Sequence, residues 1–227
     1  MKTLSIIIPV YNEERTIGEI VRRVSNTLLS GYEKEIIVVN DGSTDGTGGI
    51  LKNLKTNLDF ILLEHTVNLG KGAAIKTALS RVTGDTVLIQ DADLEYDPDD
   101  YQELLQAFDG HTPVYGSRNL GKSARGHFLF FLGGKLLTSI FNLLFGTHLT
   151  DINTGYKLFP VDVIKSIPLE SDGFEFCEEV TAKVCTLGYA IKEIPIHYSP
   201  RDFSEGKKIR ATDGLVGIWT IIKYRFE

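Results

Sequence analysis

Short β-branched runs alternate with segments of helical period along the first half of the chain. The pattern predicts strands at Leu4–Val10, Glu35–Asn40, Phe60–Glu64, Thr86–Gln90 and Pro113–Gly116, and helices at Glu13–Leu29, Thr44–Lys55, Gly72–Val82 and Pro98–Phe108. Such alternation builds βαβ units, hence an α/β fold with a mostly parallel central sheet flanked by helices. The second half is less regular. It predicts a helix near Phe174–Leu187, a strand at Ile191–His197, a basic loop at Arg201–Arg210 and a closing amphipathic helix over Ala211–Phe226, with Ala211, Leu215, Ile218 and Ile222 on one face. No repeat or linker-like tract divides the chain, so a single domain is expected over residues 1–227.

Ligands of parallel sheets bind beyond the carboxyl ends of the strands. Each predicted strand is followed there by a polar cluster: Tyr11-Asn12-Glu13, Asp41-Gly42-Ser43, Asn68 to Gly72, Asp91-Ala92-Asp93 and Ser117-Arg118. The sharpest is Asp91-Ala92-Asp93, two carboxylates at the exposed end of an apolar strand. Their mutual repulsion is costly unless a cation neutralises it. Oxygen ligands select Mg²⁺ or Mn²⁺, an ion that shares its shell with substrate phosphates, and Glu95 is placed to complete the set. Asp41 is placed to accept hydrogen bonds from a base or ribose, and Asp45 to cap the helix that follows.

The longest apolar stretch, Phe128 to Phe145, contains Gly133-Gly134 and is interrupted at Lys135, Thr138, Ser139 and Asn142, which fall on one helical face. It is borderline in length for a bilayer span and carries a charge near its middle. From Gly110 to Thr150 there is no acid, but Arg118, Lys122, Arg125 and Lys135 are present. Two readings stand: contact with an anionic membrane surface, or a core helix pair beside a phosphate site. Arg118, Arg125, Arg201, Lys207 and Lys208 are candidate phosphate clamps, the last three around a Ser204-Glu205-Gly206 stretch suited to closing on a ligand.

Composition narrows the field. The 227 residues are 42% hydrophobic and 24% charged with a net charge of −6, an ordinary globular balance that argues against nucleic acid as a partner. Cys177 and Cys185 are too few for a disulfide framework or a zinc site and fit a reducing compartment. The N-terminus lacks the features of a signal peptide. His65 and Gly72 occupy positions where a Walker loop has Gly and Ser/Thr, and neither a dinucleotide fingerprint, H-E-x-x-H nor a G-x-S-x-G elbow occurs.

Pro9-Val10-Tyr11-Asn12-Glu13, Asn40 to Thr47, Asn68 to Gly72 and Asp91-Ala92-Asp93, in this order, resemble the family 2 inverting glycosyltransferases of GT-A fold. Gly116-Ser117-Arg118, Asp151 to Tyr156 and Ser204 to Lys207 resemble, more narrowly, the dolichyl- or polyprenyl-phosphate mannose and glucose synthases. The resemblance implies a nucleotide diphosphate sugar as donor and a polyprenyl phosphate as acceptor. It implies that Pro9, Tyr11, Glu13, Val39, Asp41 and Lys71 bind the donor with Asp91, Ala92 and Asp93, that Asp91, Asp93 and Glu95 hold the metal, and that Arg118, Arg125, Arg201 and Lys207 bind phosphate. Asp93, Arg118 and Asp151 take the catalytic roles. Residues 1–118 become the donor half and 119–227 the acceptor and membrane-interface half. Where relatives often carry Gln, this chain has Glu95, which adds charge beside the metal. No transmembrane segment is read up to Glu227, so attachment is expected to be peripheral, on the cytoplasmic face of a membrane.

A phosphate acceptor is already largely dianionic at neutral pH and needs positioning more than a base. A saccharide hydroxyl needs a general base, for which Asp151, Glu175 and Glu178 are the candidates. A non-catalytic nucleotide-sugar binding module is the third reading, against which the intact carboxylate pair and clamp residues weigh.

Overall fold

The structure, a computed structural model, describes residues 1–121, 128–201 and 211–227. The elements are β1 (Lys2–Val10), α1 (Ile17–Asn26), β2 (Tyr32–Asp41), α2 (Thr47–Leu54), β3 (Ile61–His65), α3 (Lys71–Leu79), β4 (Thr86–Ile89), α4 (Tyr101–Ala107), β5 (Val114–Ser117), α5 (Phe128–Phe145), β6 (Lys157–Pro160), α6 (Val161–Ser166), α7 (Phe176–Thr186), β7 (Lys192–Pro195) and α8 (Ala211–Phe226). Among these residues one seven-stranded sheet runs in the order β3-β2-β1-β4-β6-β5-β7. It is parallel except at β6, which pairs antiparallel with β4 and β5.

The continuous apolar runs serve two cores at once. Ile6, Ile8, Val38 and Leu88 pack with α1, α2 and α4 on one face, while Ile7, Ile37, Val39 and Ile89 pack with α3 and α7 on the other. Successive side chains of a strand point to opposite faces, so a strand covered by helices on both sides must be apolar at every position. Ile7 stands opposite both Ile37 and Ile89, at the centre of the sheet.

The predicted strands all form, within a residue or two at most ends, and the first two helices start late for a local reason. Asn12 adopts a left-handed backbone (φ 48°), and Glu13 to Thr16 make a turn closed by the Ile17 amide on the Glu13 carbonyl at 2.9 Å before α1 begins. The pattern did not predict β6 or α6. A four-residue strand with a lysine at its head carries little periodic information; Lys157 is nevertheless 1% exposed, its ammonium donating to the Ile152 carbonyl at 2.7 Å and lying 4.0 Å from the Tyr115 ring centroid. Burial lowers its pKa.

A third core joins α5, α7 and α8 through Leu137, Phe141, Ala182, Ile221 and Tyr224. This core corrects the sequence reading of both outer helices. On α8 the buried positions are Gly217, Thr220, Ile221 and Tyr224, whereas Leu215 of the expected apolar stripe is 71% exposed and Ile222 38%. On α5 the polar positions do not form an outward stripe: Thr138 is buried, and Asn142 accepts from the Leu149 amide and donates to its carbonyl. Leu132, Leu136 and Leu143 face outward instead. The helix spends its polar groups on the 147–152 loop, whose backbone would otherwise be buried unsatisfied. Among the described residues no helix is long and apolar enough to cross a membrane.

Leu88→Ala, at a position of zero exposure, should destabilise the fold by about 2–5 kcal/mol. Leu215→Ser should change stability by no more than about 0.5 kcal/mol. Urea unfolding of the two variants beside the parent checks both, and a Leu88→Ala loss near zero would contradict the two-sided packing of β4.

Candidate active site

The ends of β1 and β2 are interlocked. The Asn12 amide donates to Ser43 Oγ at 3.0 Å, the Thr44 amide to Asn12 Oδ1 at 2.8 Å, and the Glu13 amide to Thr47 Oγ1 at 2.9 Å. Asp45 accepts the Thr47 amide at 3.0 Å, the capping role expected of it, and also the Glu14 amide at 3.2 Å. Asp41, 2% exposed, is the anchor of the 65–70 loop. Its carboxylate meets His65 Nδ1 at 2.7 Å and accepts from Asn68 Nδ2 at 2.9 Å and the amides of Leu69 and Gly70 at 2.9 and 2.8 Å. Four partners use most of what one carboxylate can accept. Val39 and Ala92 are buried among core side chains, so what they offer a ligand is backbone; Pro9 and Tyr11 are half-buried beside them.

The 68–72 turn is also held from the other side. Gly70 has φ +103°, and a Cβ there would lie 2.3 Å from the Asp172 carbonyl oxygen. The Gly72 and Ala73 amides donate to the carbonyls of Gly173 and Asp172. The 170–173 segment is in turn fixed by Glu179, which accepts the Glu170 and Ser171 amides at 2.7 and 2.8 Å. α3 therefore starts from a rigid platform, and its first residue, Lys71, reaches Asp91 in an ion pair.

Asp91, Asp93 and Glu95 converge at the end of β4. Leu94 sits at φ 60°, a costly backbone for a non-glycine residue, and the turn brings the Glu95 amide to Asp93 Oδ1 at 3.2 Å. Burial and the neighbouring charges of Asp91 and Glu95 push the Asp93 carboxyl up to about 7, although Arg201 opposes them. Burial works against the Lys71 ammonium, yet Asp91 keeps its pKa above the ordinary lysine value. Arg201 is the second counter-ion: Nη2 lies 2.9 Å from Asp93 Oδ2, Nη1 3.0 and 3.2 Å from the Glu13 oxygens, and its amide 2.8 Å from Glu95 Oε1. Glu13, Thr16, Asp93, Leu94, Pro200 and Arg201 line an open cleft of about 640 Å³.

The second basic group enters from β5. Arg118 grips Asp151 in a fork, Nε to Oδ2 and Nη2 to Oδ1 both at 2.7 Å, with its own amide adding a third bond at 3.1 Å. Glu193 receives the Thr150 and Asp151 amides. Tyr198 joins the two basic groups: its ring centroid lies 5.3 Å from the Arg118 guanidinium, and its hydroxyl donates to Glu95 at 3.1 Å. Sequence reasoning did not find Tyr198; its position just after β7, which runs parallel to β5, is the signal that would have placed it at this edge. Gly155 was also missed as a site residue. A Cβ there would lie 2.2 Å from Asp91 Oδ2.

The structure thus brings together Glu13, Lys71, Asp91, Asp93, Glu95, Arg118, Asp151 and Arg201. Arg125 and Lys207 lie outside the described residues. Of the other acids expected as bases, Glu178 is 3% exposed, bonded to Asn153, and burial raises its pKa; Glu175 accepts the Gly173 amide at 3.1 Å. A divalent cation fits the donor set: Asp91 and Asp93 are hard oxygen ligands close together at one strand end, with like charge to be offset. Among the described residues no three His, Cys, Asp or Glu groups are placed to hold a metal ion together, so the expected set of Asp91, Asp93 and Glu95 does not stand assembled; each is drawn to a different partner, Lys71, the Arg201 guanidinium and the Arg201 amide.

Residues 5–167 match the family described as glycosyl transferase family 2. The chain belongs to that family, and it is a glycosyltransferase. It is 34% identical over 221 residues to a protein of Trichomonas vaginalis named dolichyl-phosphate beta-glucosyltransferase ALG5A, covering 90% of this chain and 68% of that one. Its fold is that of glucosyl-3-phosphoglycerate synthase from Mycobacterium tuberculosis. The complex of that enzyme with Mn²⁺, UDP and phosphoglyceric acid superposes with a TM-score of 0.77 at 20% identity, over 99% of this chain and 78% of that one. The complex with Mg²⁺ and UDP gives 0.74 at 22% identity, over 99% and 80%. The mostly parallel sheet expected from the sequence is therefore the GT-A sheet.

Two outcomes follow from the carboxylate cluster. Asp93 keeps a proton in the folded chain at pH values where the unfolded chain has lost it, because its folded pKa is raised. Metal-free stability should therefore fall as pH rises from about 4 to about 7 and level off above, and Asp93→Asn should remove that part of the slope; urea unfolding with chelator at several pH values measures it. Gly155→Ala should weaken Mn²⁺ binding in the presence of UDP by about tenfold or more, the cost of displacing one ligand by roughly 1.4 kcal/mol, as read by calorimetry.

Proposed function

We propose that the enzyme transfers a hexose from a UDP- or GDP-sugar to a polyprenyl phosphate, with inversion at the anomeric carbon. The observation that carries this reading is a sheet edge where Asp93 and Arg201 line an open cleft and Arg118 stands next to it against Tyr198, while Asp151, the acid beside Arg118, is already held at both oxygens. Arg118 and Arg201 supply forked donors for phosphate oxygens. Asp151, bound at both oxygens by Arg118, aims that guanidinium rather than accepting a proton. The likeness to a relative named for dolichyl phosphate points the same way.

In this reading the donor lies across the ends of β1, β2 and β4, with its nucleoside near Glu13, Val39 and Asp41 and its diphosphate toward Asp91, Asp93 and Lys71. Asp91 and Asp93, with Glu95 adjacent, would hold a Mg²⁺ or Mn²⁺ ion, which would supply positive charge for the departing nucleoside diphosphate. A phosphate oxygen of the acceptor attacks the anomeric carbon from the face opposite the leaving group. The new carbon–oxygen bond forms as the bond to the β-phosphate oxygen breaks, and no proton need be removed. Lys71 sits on the leaving side and Arg118 on the attacking side, so residues 1–118 serve mainly the donor and 119–227 mainly the acceptor.

The lipid would come from a membrane surface. Leu132, Leu136 and Leu143 on α5 and Leu215, Val216, Trp219 and Phe226 on α8 expose their side chains, Leu143 by 84% and Phe226 by 76%. Neighbouring apolar faces of this kind suit two helices lying in the headgroup region, with the chain held peripherally on the cytoplasmic face.

The test is transfer by purified protein given a short-chain polyprenyl phosphate, Mg²⁺ or Mn²⁺ and a panel of UDP- and GDP-sugars. Metal-dependent lipid-linked sugar from one donor is the expected product. Glycosylation of soluble saccharides without any lipid product would replace this reading with the hydroxyl-acceptor one. Arg118→Lys should lower kcat/KM for the lipid by about 10²-fold, since an ammonium cannot reproduce a forked, stacked guanidinium. Trp219→Ser with Phe226→Ser should reduce sedimentation with anionic vesicles by at least about tenfold, two exposed aromatic anchors being lost.

A further inference from the structure

Arg201 occupies the place where a metal ion would need its ligand. Asp93 Oδ1 accepts the Glu95 amide at 3.2 Å, and its other oxygen, Oδ2, which carries no backbone bond, is the atom that Arg201 Nη2 holds at 2.9 Å. The same guanidinium spans to Glu13, and the backbone of the same residue ties Glu95. With Lys71 on Asp91, each carboxylate of the cluster has a protein partner.

The seat is nonetheless a poor one for a guanidinium. Among the described residues Arg201 Nε is buried without a hydrogen-bond partner, and Glu95 Oε1 stands 3.9 Å from it. A planar fork with five donors has been fitted to a space that satisfies it incompletely, which costs free energy at the unpaired N–H. A divalent ion has no N–H groups to leave unpaired, can complete its shell with water, and brings twice the charge to the same oxygens.

We propose that Arg201 is the resident counter-ion of Asp93 in the metal-free enzyme and competes directly with the divalent cation. Arrival of the metal, alone or with the donor diphosphate, expels the guanidinium from the carboxylates and frees it to meet a phosphate. Arg201 thereby has two successive partners: acids before the metal binds, a phosphate afterwards. The acids stay neutralised throughout, and the phosphate-binding arginine is withheld until the leaving group can be stabilised. This rests on the reading that Asp91 and Asp93 hold a divalent cation, and it requires neither the lipid acceptor nor turnover.

Mn²⁺ titration followed by the electron paramagnetic resonance of the free ion, without donor or lipid, tests the competition. Arg201→Met keeps the unbranched stem out to about the position of Nε and removes the guanidinium and its charge. Mn²⁺ should bind that variant about tenfold more tightly than the parent, because no bound guanidinium has to be displaced first, while sugar transfer falls. Affinity that is unchanged or weaker in Arg201→Met overturns the proposal while leaving the metal site standing. A parent that binds no Mn²⁺ even with UDP present overturns the metal reading and the proposal together. The unaltered enzyme gives a second measurement that depends on no variant's folding. Phenylglyoxal labelling of Arg201, mapped by peptide mass, should accelerate at least several-fold in millimolar Mn²⁺ alone; slower or unchanged labelling counts against displacement.

Discussion

Three carboxylates within five residues, at the end of a strand buried on both faces, are the constraint around which the site is organised. Asp91, Asp93 and Glu95 repel one another, and burial together with that repulsion raises the Asp93 pKa to about 7. Such a cluster persists only if cations are held against it. Lys71 comes from the start of α3 and Arg201 from the segment after β7, far apart in sequence and drawn to one edge. The platforms that hold them follow from this need. The 170–173 segment pressed against Gly70 and Gly72 keeps Lys71 in place, and the Glu95–Tyr198 bond keeps the post-β7 segment over β4.

The antiparallel strand β6 supplies the same ligand edge as the parallel strands, from the opposite direction. Parallel strands deliver the residues that follow them to the ligand edge. A strand running the other way delivers the residues that precede it, so Asp151 to Tyr156 arrive at the same edge as Asp91 and Arg118. Gly155 touches Asp91, Asp151 holds Arg118, and Lys157 supports the turn from below. One reversed strand between β4 and β5 therefore welds the two halves into one site.

The outer helices show the same economy with a different result. α5 and α8 meet through Leu137, Phe141, Ile221 and Tyr224 and cover α7, yet each keeps a row of large apolar residues outward. Lys223 on α8 pairs with Glu170 at 2.8 Å, and Glu170 begins the segment that buttresses Lys71. The exposed apolar face and the donor-side lysine are thus two ends of one short chain of contacts.

Periodicity alone determined the five parallel-type strands, the helices between them and the polar clusters after each strand, because a strand buried on both faces and a helix buried on one leave unmistakable spacing. The order of motifs determined the family, and the paired acids pointed to a cation. The tertiary structure alone decided which acids are partnered: Asp151 is bound to Arg118, Asp93 and Glu13 to Arg201, and Asp41 to its own loop. It alone placed β6, revealed Tyr198 as a link, and left Leu215 and Ile222 of the expected α8 stripe outside while Ile218 packs inward. Those choices depend on strand direction, on which helix face finds a neighbour and on which charges meet across more than a hundred residues, and local spacing carries none of that information.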